Sequence, residues 1–302
     1  MSERKVAIVT GAASGIGKAT AEKFAQDRRY TVYAADKDPA IHEVFSQPKY
    51  SNIRPLKIDV TDHCQVISMV NESAESGRLD IVVNAAGIMT KGALSTMYGK
   101  DLTPTKALED MLAVNLYAPI LITAAASGIM DQNGGGTIIN VTSAKRYWPD
   151  LHHGGYNDSK IRLSRVTRRT KKSYMKNYNV RLVDIRPGNT ITRIDRASWT
   201  EGKNPAEIKA AEKITSWWRN TFGTKPEKVA QVIYDIAEGK NIKKVVHVGL
   251  DTHIGRILYL LTYPLFPYRF DILFGVGSIA FYKGAGWAQL FADRLQKMKK
   301  TS

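Results

Sequence analysis

Cysteine is nearly missing from this chain: Cys64 stands alone among 302 residues. A single thiol excludes an intrachain disulfide framework and fits a reducing compartment. Acidic residues are also short, 28 against 44 lysines and arginines, which leaves a net charge of +16 and requires an anionic partner to be weighed. The first ten residues, MSERKVAIVT, lack the longer apolar stretch of a signal peptide and read instead as the approach to a buried strand. No repeat, low-complexity tract or linker divides the sequence, and no metal-ligand spacing occurs in it. With 43% hydrophobic and 24% charged residues, a cytoplasmic protein with one sizeable core is expected.

The positive charge is uneven. Lys160, Arg162, Arg165, Arg168, Arg169, Lys171, Lys172, Lys176 and Arg181 crowd into 160–181. Nucleic acid or an anionic membrane surface would suit such a face, but no nucleic-acid motif accompanies it, so a solvated helix face is the preferred reading. Residues 111–130 form a charge-free run long enough to raise a transmembrane span. That run carries Asn115, Pro119, Thr123 and Ser127 and sits amid alternating strands and helices, which favours a buried helix.

Short apolar runs at 5–10, 31–36, 53–58, 80–84, 136–142, 180–186 and 244–248 read as strands. Helical patterns fall near 15–28, 62–76, 105–130, 156–178 and 226–238. The alternation predicts right-handed β-α-β crossovers and one doubly wound parallel α/β sheet of about seven strands. It occupies 1–250, and an apolar and basic C-terminal extension, helical in part, follows over 251–302.

Strand 5–10 runs into Gly11, Ser14, Gly15, Ile16 and Gly17 and then a helix. Glycines there permit a tight turn and close backbone approach, and the helix N-terminus offers N–H groups to a pyrophosphate. The next strand ends in Asp36, 19 residues beyond Gly17. A carboxylate there accepts from ribose hydroxyls and repels a 2′-phosphate, which favours NAD(H). Lys37 follows directly and leaves NADP(H) open.

Tyr156 and Lys160 share one helix face at i, i+4, where the ammonium favours phenolate over phenol. Tyr33 and Lys37 have the same spacing but straddle a strand end, so the spacing alone does not make a site. Ser143, thirteen residues before Tyr156, ends an apolar strand, and strand carboxyl ends line the ligand crevice of a parallel sheet. A serine there can hydrogen-bond a reacting oxygen while Tyr156 transfers its proton.

Over roughly residues 4–250 the chain resembles the short-chain dehydrogenase/reductase family, whose fold is a Rossmann-type sheet. The turn 10–17 resembles that family's cofactor turn, Asn84, Ala85 and Gly87 its fourth-strand motif, and Asp59 with Val60 its adenine-contacting pair. Pro187, Gly188, Thr190 and Thr192 resemble the segment that holds the nicotinamide. Asn115, Ser143, Tyr156 and Lys160 match its catalytic tetrad in order and spacing. The resemblance implies Tyr156 as acid/base and Lys160 as the residue that lowers its pKa and binds the nicotinamide ribose. Ser143 would orient the substrate oxygen, and Asn115 would hold a water in the proton relay. It also implies a homodimer or homotetramer formed through helices such as 105–130 and 156–178.

Three departures bear on substrate. After Ser143 the chain carries Lys145, Arg146, Trp148, His152 and His153 where family members carry smaller residues; Lys145, Arg146, Trp148 and His153 are candidate substrate contacts. Segment 88–105 reads as an insertion at the site entrance, and 195–222 holds Trp199, Trp217 and Trp218 in the region of the family's substrate lid. The extension, rich in Leu, Tyr and Phe, is similar to those of lipid-, steroid- or retinoid-type members and suggests a peripheral membrane or subunit contact. The leading expectation is an alcohol–ketone oxidoreductase for a hydrophobic or bulky substrate. A polar or anionic substrate such as a sugar derivative, or a cofactor-sensing protein without turnover, are the alternatives.

Overall fold

The computed structural model describes residues 4–90, 97–99, 101, 103–144, 154–192, 194, 223–240, 245–253 and 256–257. Lys145, Arg146, Trp148, His152 and His153, the three tryptophans of 195–222 and nearly all of the extension 251–302 lie outside the described residues.

Seven strands form the sheet: β1 (Lys5–Thr10), β2 (Tyr30–Asp36), β3 (Ile53–Lys57), β4 (Arg78–Asn84), β5 (Gly136–Val141), β6 (Val180–Pro187) and β7 (Val245–Val248). All pairings are parallel, in the order β3-β2-β1-β4-β5-β6-β7. Central strands such as Val6–Val9 and Ile81–Val83 are buried without alternation, because helices cover both faces. The doubly wound parallel sheet expected from the alternation, Rossmann-type as the resemblance implied, is the one observed.

The helices are α1 (Gly15–Ala25), α2 (Ile41–Val44), α3 (His63–Glu75), α4 (Lys106–Leu112), α5 (Ala118–Gln132), α6 (Gly154–Tyr178) and α7 (Pro226–Ala237). On one sheet face Phe24 of α1 and Val229, Ile233 and Ile236 of α7 pack against Val9, Val83, Ile139 and Ile185. On the other, Val66 and Met69 of α3 and Ile122 and Met130 of α5 pack against Ile8, Val82 and Ile138. Asp62 caps α3, accepting from the Cys64 and Gln65 N–H groups.

The helix expected near 105–130 runs instead over Lys106–Gln132 and is interrupted. A π-helical turn, Ala113–Tyr117, joins α4 to α5. Pro119 has no N–H to offer the Asn115 carbonyl four residues earlier, and the wider turn accommodates that loss. The run Lys106–Gln132 is the one described helix long and apolar enough to cross a membrane. Ala118, Ile122, Ala126 and Met130 are instead buried against the sheet, as expected for a core helix.

Candidate active site

The strand order reverses between β1 and β4, and the crevice above their carboxyl ends is where parallel α/β sheets place ligands. Thr10, the last residue of β1, bridges that reversal: its Oγ1 accepts from the Ala85 and Ala86 N–H groups at 3.2 Å each. Gly11 follows with φ +69°, and a Cβ on it would stand 2.7 Å from the Ala86 Cα. A β-carbon at Gly17 would strike the Gly11 carbonyl. The turn is therefore pressed flat between β4 and the first turn of α1.

Ser14, at the N-cap of α1, makes no side-chain cap, so the first-turn N–H groups remain for an anion. This fits the pyrophosphate of a dinucleotide. Asp36 ends β2 beside the same turn; its Oδ2 accepts from the Ala13 N–H at 2.9 Å and its Oδ1 from the Asp38 N–H at 3.0 Å. Each oxygen keeps capacity for a ribose hydroxyl. Ile16 packs against the core cluster beneath α1. Beyond β3, the Asp59 carboxyl is held below the usual range chiefly by the Thr61 N–H and then by the Thr61 hydroxyl. Val60 is buried in the core cluster under α3.

Asn84 ends β4 and donates to Asn140 Oδ1 at 2.8 Å, tying β4 to β5. Three residues on, Gly87 is where the polar groups converge. A Cβ there would lie 3.2 Å from Lys160 Nζ and 3.3 Å from Asn115 Oδ1. Asn115, in the π-helical turn, exchanges hydrogen bonds with Ile88, accepting from its N–H at 2.9 Å and donating to its carbonyl at 2.8 Å. It also donates to Ser159 Oγ at 3.1 Å.

Tyr156 lies in the first turn of α6, half-buried against the small cluster of Met97, Leu108 and Met111. One turn on, Lys160 is buried and donates to the Val141 carbonyl at 3.0 Å. Burial pushes its ammonium down to about 8. Ser143 stands two residues beyond the end of β5, half-buried. Tyr33, the other tyrosine with i, i+4 lysine spacing, is fully buried in β2, and its hydroxyl donates to the Glu72 carbonyl at 3.2 Å.

After β6, the Gly188 N–H donates to the Val248 carbonyl at 2.8 Å, and Asn189 N–H to Asp251 Oδ2 at 2.6 Å. Thr190 pairs with Thr224 in an isolated bridge. The Thr192 methyl lies 3.0 Å from where a Gly15 Cβ would be, which brings this segment over the glycine turn. In segment 88–105, Tyr98 bridges Pro104, and the Thr105 hydroxyl donates to the Met97 carbonyl at 3.1 Å.

The structure thus gathers the glycine turn, Asn84, Gly87, Asn115, Lys160 and Thr192 at one end of the sheet. Sequence reasoning included Thr10 in the cofactor turn without giving it a role, and passed over Ser159, Thr142, Asp184 and Arg186. A threonine next to a glycine turn and a proline four residues after Asn115 were the available signals for Thr10 and the π-helical turn.

Residues 5–203 match the family model described as short chain dehydrogenase. The chain is 31% identical over 249 residues to the 3-oxoacyl-[acyl-carrier-protein] reductase FabG of Thermotoga maritima, covering 79% of this chain and 92% of that one. Among solved structures it is similar to a short-chain dehydrogenase/reductase from Burkholderia phymatum in complex with NAD. That match has a TM-score of 0.69 and 22% identity, and covers 89% of this chain and 95% of the other. It is also similar to an alcohol dehydrogenase from Thermococcus sibiricus complexed with 5-hydroxy-NADP, with a TM-score of 0.62, 21% identity, and coverage of 81% and 96%. At those identities the two structures speak for the fold.

Proposed function

This chain belongs to the short-chain dehydrogenase/reductase family of NAD(P)-dependent oxidoreductases, and we propose that it interconverts a secondary alcohol and a ketone, with Tyr156 as acid/base. The observation that carries the reading is the meeting of Lys160 and Asn115 at Gly87, beside a helix N-terminus left open to an anion. The nicotinamide, when bound, supplies or accepts the hydride. The turn 11–17 would hold the pyrophosphate, Asp59 and Val60 the adenine, and Asn84, Ala85, Pro187, Gly188, Thr190 and Thr192 the nicotinamide end.

In the reducing direction the Tyr156 hydroxyl gives its proton to the developing alkoxide, and in oxidation the phenolate takes it from the alcohol. Lys160, one turn away, favours the phenolate when it carries its proton. Its depressed pKa places that proton within reach of neutral pH. Ser143 orients the substrate oxygen. Asn115, fixed by both Ile88 main-chain groups, holds the polar path that continues from Lys160.

NAD(H) is the favoured cofactor, because a 2′-phosphate would meet the Asp36 carboxylate with no arginine or lysine in the turn 11–17 to neutralise it. The substrate is proposed to be hydrophobic or bulky, on the strength of the aromatic segment 195–222 and the apolar tail. The tail is proposed to touch an anionic membrane surface. Flotation of the full chain with anionic vesicles checks that, and a protein that stays at the bottom of the gradient refutes it.

The deciding measurement is cofactor consumption with NAD(H) and NADP(H) in parallel across alcohols and ketones, including acetoacetyl-coenzyme A. Tyr156→Phe should cut turnover by about a thousandfold or more while leaving NADH affinity nearly intact. Unchanged turnover in that variant removes Tyr156 from the chemistry, and cofactor binding without turnover on any compound supports the sensing alternative.

A further inference from the structure

The chain just beyond β5, which bears Ser143, rests on a buried polar hub that the proposed mechanism does not use. Side chains alternate along a strand, and on the α6 side of the sheet the carboxyl ends of β5 and β6 place Asn140, Thr142, Asp184 and Arg186. All four are buried, with Asp184 at 0% exposure. Asp184 and Arg186 form an ion pair at 2.8 Å. Arg186 donates to Asp184 Oδ2 from both Nε and Nη2, and also to Ser164 Oγ at 2.8 Å. Ser164, one turn beyond Lys160 on α6, donates in turn to Asp184 Oδ2 at 2.8 Å. The other carboxylate oxygen accepts from the Thr142 hydroxyl at 2.5 Å, the length of a charge-assisted O–H bond.

Three consecutive residues, the last of β5 and the two that follow it, are thereby assigned to three tasks. The Val141 carbonyl receives Lys160, the Thr142 hydroxyl is held by Asp184, and the next residue is the half-buried Ser143 assigned above to the substrate oxygen. The same carboxylate holds Ser164 on the helix that carries Tyr156 and Lys160. One desolvated anion therefore sets β5 and α6 against each other at the level of the site. A buried ion pair gives little net stability compared with apolar residues of the same volume, because desolvation offsets the attraction. Its effect here is directional: an apolar replacement would fill the space without fixing the rotation of Thr142 or the height of α6.

We propose that Asp184, clamped by Arg186, is a positioning residue that acts through Thr142 and Ser164 to set Ser143 relative to Lys160. The proposal rests on the assignment of Ser143 and Lys160 to the chemistry above. Thr142→Val removes the hydroxyl and keeps the shape, while Thr142→Ser keeps the hydroxyl. In the NADH-linked assay with the ketone that wild type reduces fastest, Thr142→Val should lower kcat by roughly ten- to a hundredfold. The KM for NADH should stay within about twofold, and Thr142→Ser should hold kcat within about threefold of wild type. A Thr142→Val enzyme that melts at a lower temperature yet keeps wild-type kcat makes the hub purely structural and overturns the proposal.

Crystal structures of the two variants decide the point without turnover. Displacement of Ser143 or loss of the Lys160–Val141 bond in Thr142→Val, but not in Thr142→Ser, supports positioning; unchanged geometry in both refutes it. A wild type that reduces nothing while those structures shift refutes the assigned chemistry and leaves the positioning standing. Asp184→Asn, which strips Arg186 of its counter-charge, is secondary because it risks the fold.

Discussion

Helices α6 and α7 cover opposite faces of the same sheet and dock in opposite ways. Helix α7 presents Val229, Ala230, Ile233 and Ile236, all buried in an apolar cluster. Helix α6 is longer, yet its buried set is Gly155, Asn157, Ser159, Lys160, Leu163, Ser164 and Thr167, with one large apolar side chain. Lys160 reaches the Val141 carbonyl, Ser164 reaches Asp184, and Thr167 accepts from Asn140 at 2.9 Å. Positions 160, 164 and 167 form one stripe at helical spacing, and each ends in a hydrogen bond. Apolar burial is non-directional and tolerates small slides, whereas hydrogen bonds fix rotation and height. The helix that carries the candidate acid/base is the one held by direction.

The contrast can be broken from the apolar side first. Ile233→Ala should cost about 2–5 kcal/mol, since a fully buried branched side chain leaves a cavity. The kcat of the protein that remains folded should match wild type. Denaturant midpoints and active-site-normalised rates check this, and a collapse of kcat at full folding would show that α7 also positions the site.

From the polar side, Lys160→Met should have the opposite sign. Burial lowers the Lys160 pKa from 10.5 to about 8, so near neutral pH the fold carries a charge it penalises. Removing that charge should stabilise the cofactor-free protein by up to about 3 kcal/mol, less what the lost bond to Val141 contributed, while turnover disappears. Between about pH 8 and 10.5 the unfolded wild type binds more protons than the folded one. Its stability should therefore rise with pH across that window. The Met variant should lack that rise, and melting curves from pH 7 to 10.5 test it directly. Parallel curves for the two proteins would mean that Lys160 keeps an ordinary pKa.

The five inner strands were legible in the sequence because two-sided burial writes itself as unbroken runs such as 138–141. Strands β3 and β7, half-buried at the sheet edges, were legible from shorter apolar stretches and their place in the alternation. The glycine turn was legible for a similar reason: Gly11 at φ +69° under Ala86 leaves no room for another residue type. The break in the helix after Leu112 was not, since periodicity continues through a π-helical turn and only Pro119 hints at it. Nor was the hub at Asp184. Read linearly, an aspartate and an arginine two apart in a strand look like an exposed edge, and the 0% and 3% exposures depend on α6 lying over them. Segments 145–153 and 195–222, where the substrate contacts were sought, lie outside the described residues.

By itself the sequence determined the class of the protein: a doubly wound sheet, a dinucleotide turn and a tetrad in family order, all properties of local spacing that survive without knowing what packs where. Only the tertiary structure decided how the tetrad is held. Whether a lysine titrates near 8, and whether an aspartate anchors a strand end, depends on solvent exclusion and on partners 19 and 42 residues away in the chain, the separations of Lys160 from Val141 and of Asp184 from Thr142. Desolvation and hydrogen-bond direction are properties of the assembled interior, and no stretch of sequence carries them alone.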